Sequence, residues 1–202
     1  MQLQKAQKIA DKIVEALAPY CLKIEVAGSI RRRKENVNDI DLVVVPSDFG
    51  GFISRLKQNT IPKTVGKENI IVHLRDRDST QLDIFIAKEQ EKTLFETKPG
   101  NWGTLLLCRT GSKEHNVFIA NLAANRGMRW HPYNGLYHHN RVIAWETEEK
   151  IYEALGIPFI APENREIHLI KSALPTLFQP VLQPPCTPFS NIPQTDFHFR
   201  AE

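Results

Sequence analysis

Apolar residues recur every three or four positions near the start of the chain, which predicts an amphipathic helix over about residues 3–19. Further along, short runs rich in β-branched residues predict strands. The expected order is a strand at about 22–27, a strand at about 39–45, a helix at about 49–58, and strands at about 69–75 and 80–87. Because these strands come mostly as a consecutive group, we predict an α+β fold with a mixed or antiparallel sheet and helices on one face.

A second, smaller unit is predicted after a linker at about residues 99–103, which is rich in proline and glycine. A break at Thr110-Gly111-Ser112 precedes a helix expected over about 113–126, and Ser112 is a candidate N-cap for that helix. Short strands at about 128–131 and 141–145 and a helix at about 147–155 complete an α/β unit. The predicted domains are therefore 1–103 and 104–172.

The chain changes character beyond about residue 172. Six prolines lie between Pro175 and Pro193, with Ser, Thr and Gln among them, so residues 173–202 are predicted to form a flexible tail. Within it, Gln194, Phe197 and Phe199 resemble a sliding-clamp-binding peptide, which makes a protein partner of the tail one expectation.

Polar residues with distinct chemistry lie at the ends of the predicted strands. Gly28-Ser29 follows the first strand, where the backbone can turn and direct amides at an anion, and Arg32 adds positive charge. On the second strand the period of two places Asp39 and Asp41 on one face. Two neighbouring carboxylates repel each other unless a cation lies between them, so this pattern favours a divalent ion such as Mg²⁺ beside a phosphate.

The composition of the 202 residues is that of an ordinary globular protein, with 42% hydrophobic and 24% charged residues. The net charge of +3 is compatible with a polyanionic partner, and no apolar run reaches the roughly 20 residues that span a bilayer, so no membrane partner is expected. Cys21, Cys108 and Cys186 lack paired spacing, which indicates reduced thiols and a cytoplasmic location, in a nucleoid or a viral host cell according to the source.

From about residue 5 to residue 168 the chain resembles family X of the DNA polymerases, the DNA polymerase beta group. The motifs that carry the resemblance are Gly28-Ser29-Ile30-Arg31-Arg32, Asp39-Ile40-Asp41, Leu82-Asp83, Thr110-Gly111-Ser112 followed by Asn116, and Leu155-Gly156-Ile157-Pro158. The resemblance implies a nucleotidyltransferase palm followed by a thumb. Because the family's N-terminal lyase domain has no counterpart before Gln2, we expect a minimal palm and thumb form.

The resemblance also implies site roles. Asp39, Asp41 and Asp83 would be catalytic and would bind two Mg²⁺ ions, with Mn²⁺ as a substitute. The residues implied to bind the nucleotide are Gly28, Ser29, Arg32, Asn38, Cys108, Arg109, Gly111, Ser112 and Asn116. Lys113 is implied to contact DNA.

The expected activity is addition of dNTPs to the 3′ hydroxyl of a DNA primer by two-metal in-line displacement, with release of pyrophosphate. The expected partners are primer-template or gapped DNA and a dNTP, the expected role is filling of short gaps in DNA repair, and the expected state is a monomer. Two alternatives stay open: a template-independent terminal nucleotidyltransferase acting on DNA or RNA ends, and a non-catalytic nucleic-acid-binding protein.

Three positions depart from the family pattern. Cys108 and Arg109 stand where most members have an aromatic pair that helps to exclude a ribose 2′ hydroxyl. Gln81 stands where an Arg often orients the third aspartate, and Ala120 stands where DNA polymerase beta has an Arg that reaches the template strand. Sugar selectivity, template dependence and fidelity are therefore open, as is the preferred gap length.

Overall fold

The first half of the chain forms one five-stranded sheet in the computed structural model, which describes residues 1–76, 78–94 and 97–175. The strands are β1 (Cys21–Val26), β2 (Ile40–Pro46), β3 (Thr60–Val65), β4 (Asn69–Leu74) and β5 (Gln81–Ile86). They lie in the order β1-β2-β5-β4-β3, and all neighbours are antiparallel except the parallel pair β2 and β5. The predicted α+β fold with a mixed sheet is confirmed.

Three helices belong to this first unit: α1 (Leu3–Leu17), α2 (Gly28–Arg31) and α3 (Phe49–Gln58). α1 ends two residues before its predicted limit, and a 3₁₀ turn at Ala18–Tyr20 follows it. On one face of the sheet the alternating residues of β2 pack on α1 and α3 in a single buried cluster that includes Ile40, Leu42 and Phe52. This face is the one that the apolar alternation of β2 predicts.

The opposite face of the sheet is covered in part by α4 (Trp102–Thr110). Leu105 and Leu106 of this helix pack in one buried cluster with Val43 and Phe85. From Leu42 to Val45, β2 is therefore buried on both of its faces. The prediction of a linker at 99–103 is therefore wrong for Trp102 and Gly103, which belong to α4. The predicted domain boundary at 103/104 also falls inside this helix. At Gly103, inside this helix, a Cβ atom would lie only 2.4 Å from the Thr147 backbone. Glycine is therefore needed here for the helix to pack this closely.

The edge strand β3 was not predicted, because Pro62 interrupts its pattern and cannot donate to a strand ladder. The register between β3 and β4 shifts between Pro62 and Thr64, which is where an edge strand tolerates proline. A short ribbon follows the sheet, formed by β6 (Glu91–Lys92) and β7 (Thr97–Lys98).

The second unit combines helices with an antiparallel sheet in the order β10-β9-β8. Beyond α4, its elements are α5 (Lys113–Asn125), β8 (Met128–His131), β9 (Gly135–His138), β10 (Arg141–Ala144), α6 (Glu148–Ala154) and α7 (Ile167–Ala173). The predicted N-cap is confirmed, since the Ser112 hydroxyl accepts a hydrogen bond from the His115 amide at 3.2 Å.

Besides α4, the elements β9 and α7 of the second unit were not predicted. β9 has only four residues and joins β10 through His139 and Asn140, whose φ angles of 47° and 62° suit a tight hairpin turn. The predicted tail lies outside the described residues from 176 onward, and Cys186, Gln194, Phe197 and Phe199 lie there too. In the part of the chain that the structure describes, Cys21 and Cys108 are free thiols and no helix is long and apolar enough to cross a membrane.

A buried charge network joins the two units. Glu148, at the start of α6, accepts two hydrogen bonds from Arg31 at 2.9 and 2.7 Å and one from Arg165 at 2.6 Å. Arg31 also donates to the Thr110 hydroxyl at 2.7 Å. Glu148 is 3% exposed and Arg165 is fully buried. Burial alone would raise the pKa of Glu148, but the hydrogen bonds and charges of the two arginines outweigh it and hold that pKa below its usual range.

A second set of ion pairs supports the same junction. Lys34 and the Nε atom of Arg32 approach one carboxylate oxygen of Glu166 at 2.9 and 3.4 Å, and both contacts are ion pairs without hydrogen-bond geometry. Arg32 also donates to the Thr110 carbonyl. Three members of the basic run at 31–34 therefore hold the second unit against the first.

Replacing Glu148 tests the buried network. Glu148→Ala should lower the free energy of unfolding by about 3–5 kcal/mol, because it leaves the guanidinium groups of Arg31 and Arg165 buried without a counter-charge. Urea denaturation measures this change. Glu149→Ala is the matched control: Glu149 is exposed on the same helical turn, and its loss should cost at most about 1 kcal/mol through the helix dipole. Equal effects of the two substitutions would contradict the assignment.

Candidate active site

A cleft of about 720 Å³ lies between the two units and collects most of the predicted site residues. Of those thirteen residues, all but Asp83 and Ser112 line the cleft. The first unit contributes a charged and polar wall, formed by Gly28, Ser29, Arg32, Asn38, Asp39 and Asp41. The second unit contributes residues of α4 and α5, namely Cys108, Arg109, Gly111, Lys113 and Asn116.

The three predicted aspartates come from two neighbouring strands. Asp41 of β2 and Asp83 of β5 are direct partners in the parallel register, and Asp39 lies just before β2. In parallel strands that are in register, side chains at paired positions point to the same face of the sheet. Asp41 and Asp83 therefore present their carboxyl groups side by side, on the face that α4 partly covers.

The carboxyl groups of this pair carry unfavourable negative charge. Burial, together with the charges of Asp39 and Asp83, raises the pKa of Asp41 to about 7, and Arg32 and Arg109 partly offset this rise. The pKa of Asp83 is also raised, chiefly by burial, although Gln81 donates a hydrogen bond to its carboxylate at 2.9 Å.

Concentrated carboxylate charge of this kind fits a hard divalent cation, whose ligands are oxygen atoms. The ligand atoms suit such a cation, because Asp39, Asp41 and Asp83 offer carboxylate oxygens beside one cleft. Among the described residues, no three His, Cys, Asp or Glu side chains are already gathered as a complete cation site.

Gly28 makes room for the Asp41 carboxylate. A Cβ atom at residue 28 would lie 1.8 Å from Asp41 Oδ2, which is far inside van der Waals contact, and the φ angle of +59° is one that residues with side chains rarely adopt. The turn after β1 and the carboxylate on β2 therefore depend on each other sterically.

The phosphate side of the cleft combines an unpartnered hydroxyl group with cationic side chains that already have partners. The Ser29 hydroxyl is buried and has no hydrogen-bond partner within the protein, which leaves it available to a bound anion. Arg32 lines the cleft but contacts Thr110 and Glu166, as described above. Lys34 and Asn36 also line the cleft, although the sequence-based prediction did not include them.

The α4 and α5 side of the cleft is held by side-chain contacts. Asn116 donates to the Cys108 carbonyl at 2.8 Å, and burial is the main cause of the raised pKa of the Cys108 thiol. Gly111 has a φ angle of +69°, and the Gly111–Ser112 peptide bond is cis. The Ser112 hydroxyl donates to the Arg165 carbonyl at 2.9 Å while it caps α5, so its hydrogen bonds are made inside the protein.

The far end of the cleft is apolar, which the sequence alone did not indicate. Its residues are Val117, Ala120, Trp130 and Pro132. The first two lie on the same side of α5 as Asn116, at spacings of one and four residues, so helical periodicity could have identified them. Trp130 comes from β8, and only the packing of β8 against α5 brings it to the cleft.

Comparisons with known proteins agree with this arrangement. The family described as DNA polymerase beta thumb matches residues 105–166. The DNA polymerase/3′-5′ exonuclease PolX of Bacillus subtilis is 28% identical over 167 residues, which are 80% of this chain and 28% of that protein. DNA polymerase IV of Saccharomyces cerevisiae is 38% identical over 58 residues, which are 29% of this chain and 10% of that protein.

Solved structures show the same fold. The polymerase beta of Leishmania infantum, in a ternary primer-template complex, matches with a TM-score of 0.62 and 19% identity, covering 82% of this chain and 76% of that one. Its ternary gap complex matches with a TM-score of 0.63 and 19% identity, covering 82% of this chain and 70% of that one. The chain is therefore similar to family X DNA polymerases in sequence and in fold. In the terms of that fold, its first unit corresponds to the palm and its second to the thumb.

The chain spans about 28% of the length of its PolX relative, and the match to the thumb family begins within α4. The palm contributes the aspartates and the Gly28 turn. The thumb contributes the helix ends that face them. The individual residue roles stay predictions, which the following substitutions address.

The steric role of Gly28 in the palm can be separated from its backbone conformation. Gly28→Ala should lower the free energy of unfolding by about 2–4 kcal/mol, because it combines an unfavourable φ with the displacement of Asp41. Gly127→Ala is the matched control, since Gly127 has a φ angle of +69° but no atom within 4 Å of the position that a Cβ atom would occupy. That variant should lose only about 1 kcal/mol. Equal losses in thermal or urea unfolding would exclude the steric role.

The raised pKa of Asp41 predicts a pH-dependent stability. Because the folded pKa of about 7 lies above the unfolded value of 3.8, metal-free protein should lose stability as pH rises from about 4 to 7. Asp41→Asn removes this loss, so in EDTA the variant should be about 2–4 kcal/mol more stable than the wild type at pH 8 and similar to it near pH 4. Urea titrations at both pH values measure the difference, and saturating Mg²⁺ should reverse the order at pH 8. A difference independent of pH would contradict the prediction.

Proposed function

We propose that this protein is a DNA polymerase that adds deoxynucleotides to the 3′ hydroxyl of a primer. Each incoming nucleotide would bind in the cleft between palm and thumb. The observation that carries the proposal is the in-register pair Asp41 and Asp83, beside a cleft that also contains the Gly28-Ser29 turn. The similarity to the DNA polymerase/3′-5′ exonuclease PolX of Bacillus subtilis supports the same activity.

The two ends of the cleft suit the two ends of a nucleotide. At the palm end, the unpartnered hydroxyl of Ser29 and the cationic side chains of Arg32 and Lys34 can donate to phosphate oxygens. At the thumb end, the apolar surface around Val117 and Trp130 can pack against a base. A volume of about 720 Å³ is large enough for a nucleoside triphosphate.

The carboxylates supply the remaining chemistry. Asp39, Asp41 and Asp83 would hold the two Mg²⁺ ions, for which Mn²⁺ can substitute, and the ions would stabilise the negative charge that develops during in-line displacement. Asp83 would accept the proton of the primer hydroxyl, because burial raises its pKa and a hydrogen bond from Gln81 orients its carboxyl group. Pyrophosphate would leave on the side of Ser29 and Arg32.

The proposed substrate is primer-template or gapped DNA, and the proposed role is the filling of short gaps during repair by a cytoplasmic monomer. Lys113, which lines the cleft at the start of α5, would contact a DNA phosphate. Such contacts make affinity for DNA fall as salt concentration rises.

Substitution of Asp83 tests the catalytic proposal. Asp83→Asn should lower the rate of primer extension at least about 10³-fold, because it removes a proton acceptor and a cation ligand. Its thermal unfolding midpoint should not fall below that of the wild type, because the substitution also removes a buried, repelled charge. Asp11→Asn is the matched control, since Asp11 is exposed on α1, and its extension rate should not change. Wild-type protein without any Mg²⁺-dependent incorporation would instead support a non-catalytic nucleic-acid-binding protein.

A second candidate function is template-independent transfer to DNA or RNA ends, and the observation that favours it is Ala120. This short side chain lines the cleft and has no polar atom that could bind a template strand. Extension assays with each single nucleotide opposite each of the four template bases separate the two functions. Incorporation that follows the template supports the polymerase, and incorporation that ignores it supports the terminal transferase.

A further inference from the structure

Arg109 occupies the last turn of α4 and reaches across to the palm. Its guanidinium carbon lies 3.9 Å from the centre of the Phe85 ring, and one guanidinium nitrogen donates to the hydroxyl of Tyr133, in the loop between β8 and β9. Arg109 follows Leu106 by three residues and Leu105 by four, so all three share the helical face that packs on the sheet.

This position brings a positive charge to the aspartates. Phe85 lies two residues after Asp83 on β5, and side chains two residues apart project from the same face of a strand. The guanidinium group that stacks on Phe85 is therefore one side-chain row from the Asp41 and Asp83 pair. In agreement with this geometry, the charge of Arg109 lowers the pKa of both carboxyl groups, whereas Arg32 acts on Asp41 and Lys63 on Asp83.

The charge of Arg109 is not neutralised elsewhere in the described residues. Arg31 and Arg165 are ion-paired with Glu148, and Arg32 is ion-paired with Glu166. Arg109 has no carboxylate within 4 Å among the described residues, and its Nε atom is buried without a hydrogen-bond partner. The carboxyl groups on which its charge acts are those of Asp41 and Asp83.

We propose that Arg109 is a positioning residue that serves as the resident counter-charge of Asp41 and Asp83. It stabilises the paired carboxylates before a divalent cation arrives, and it weakens cation binding to the free protein by repulsion. The phosphates of a nucleotide add negative charge to the same cleft, so they offset this repulsion and make cation binding depend on the nucleotide. The inference rests on the proposed function, because it takes the two aspartates as cation ligands.

Titration with Mn²⁺, followed by the electron paramagnetic resonance signal of the free ion, tests this coupling without any turnover. Arg109→Gln should bind Mn²⁺ about three- to tenfold more tightly than the wild type in the absence of nucleotide, because one nearby positive charge is removed. Arg109→Lys keeps the charge and should stay within about twofold of the wild type. Arg109→Met, which keeps an apolar stem against Phe85, should match Arg109→Gln and guards against a folding defect in one variant.

Arg129→Gln is the control for net charge. Arg129 is exposed on β8 and stacks on Tyr137 at 4.7 Å, so its loss changes the formal charge equally and also removes a cation–π contact. It should leave the Mn²⁺ affinity unchanged. Adding a non-hydrolysable deoxynucleoside triphosphate should tighten Mn²⁺ binding more in the wild type than in Arg109→Gln.

The outcomes separate this inference from the polymerase proposal. Unchanged or weaker Mn²⁺ binding by folded Arg109→Gln and Arg109→Met overturns the counter-charge role, even where the wild type binds Mn²⁺ and extends primers. If neither the wild type nor the variants bind Mn²⁺ at millimolar concentration, both the counter-charge role and the carboxylate site are overturned. Tighter binding by both neutral variants, with Arg109→Lys and Arg129→Gln unchanged, supports the role.

Discussion

Burial of the Asp41 and Asp83 carboxylates beside Asp39, whose charge repels both, is the constraint around which this molecule is arranged. The parallel register of β2 and β5 sets the two groups side by side on a partly covered face, where water screens them poorly. Gly28 leaves space for one carboxylate, and Gln81 donates a hydrogen bond to the other. The remaining excess of negative charge favours cations beside these carboxylates, and Arg109 is a cation that the structure places there.

The Glu148 network differs from the aspartate pair, because its buried carboxylate is ion-paired with two arginines. Two arginines satisfy one carboxylate, so the contact between palm and thumb is held by charge that is already compensated. The contrast separates the roles of the two clusters. A compensated network can fix the position of α4 and α6, whereas an uncompensated pair can respond to a ligand. The cleft needs both, since the aspartates are useful only if the thumb residues stay opposite them.

The sequence could predict the sheet, the aspartates and the helix that follows Ser112, because each depends on local periodicity or capping. It could not predict β3, where Pro62 hides an edge strand, or the helical state of Gly103, which depends on contact with the Thr147 backbone. The roles of Glu148 and Arg165 were also missed. Their partners are distant in sequence, and a buried ion pair has no local pattern that distinguishes it from ordinary surface charges.

The basic run at residues 31–34 shows why residue type alone does not assign a role. As a sequence it suggests one positive patch beside a phosphate turn, but its side chains diverge in the structure. Arg31 is ion-paired with Glu148. Arg32 and Lys34 are both ion-paired with Glu166, and both line the cleft. A bound phosphate would compete with Glu166 for the same two cations. The phosphate end of the cleft and the junction between the two units are therefore linked through shared charges, so a phosphate bound there would also act on the contact that positions the second unit.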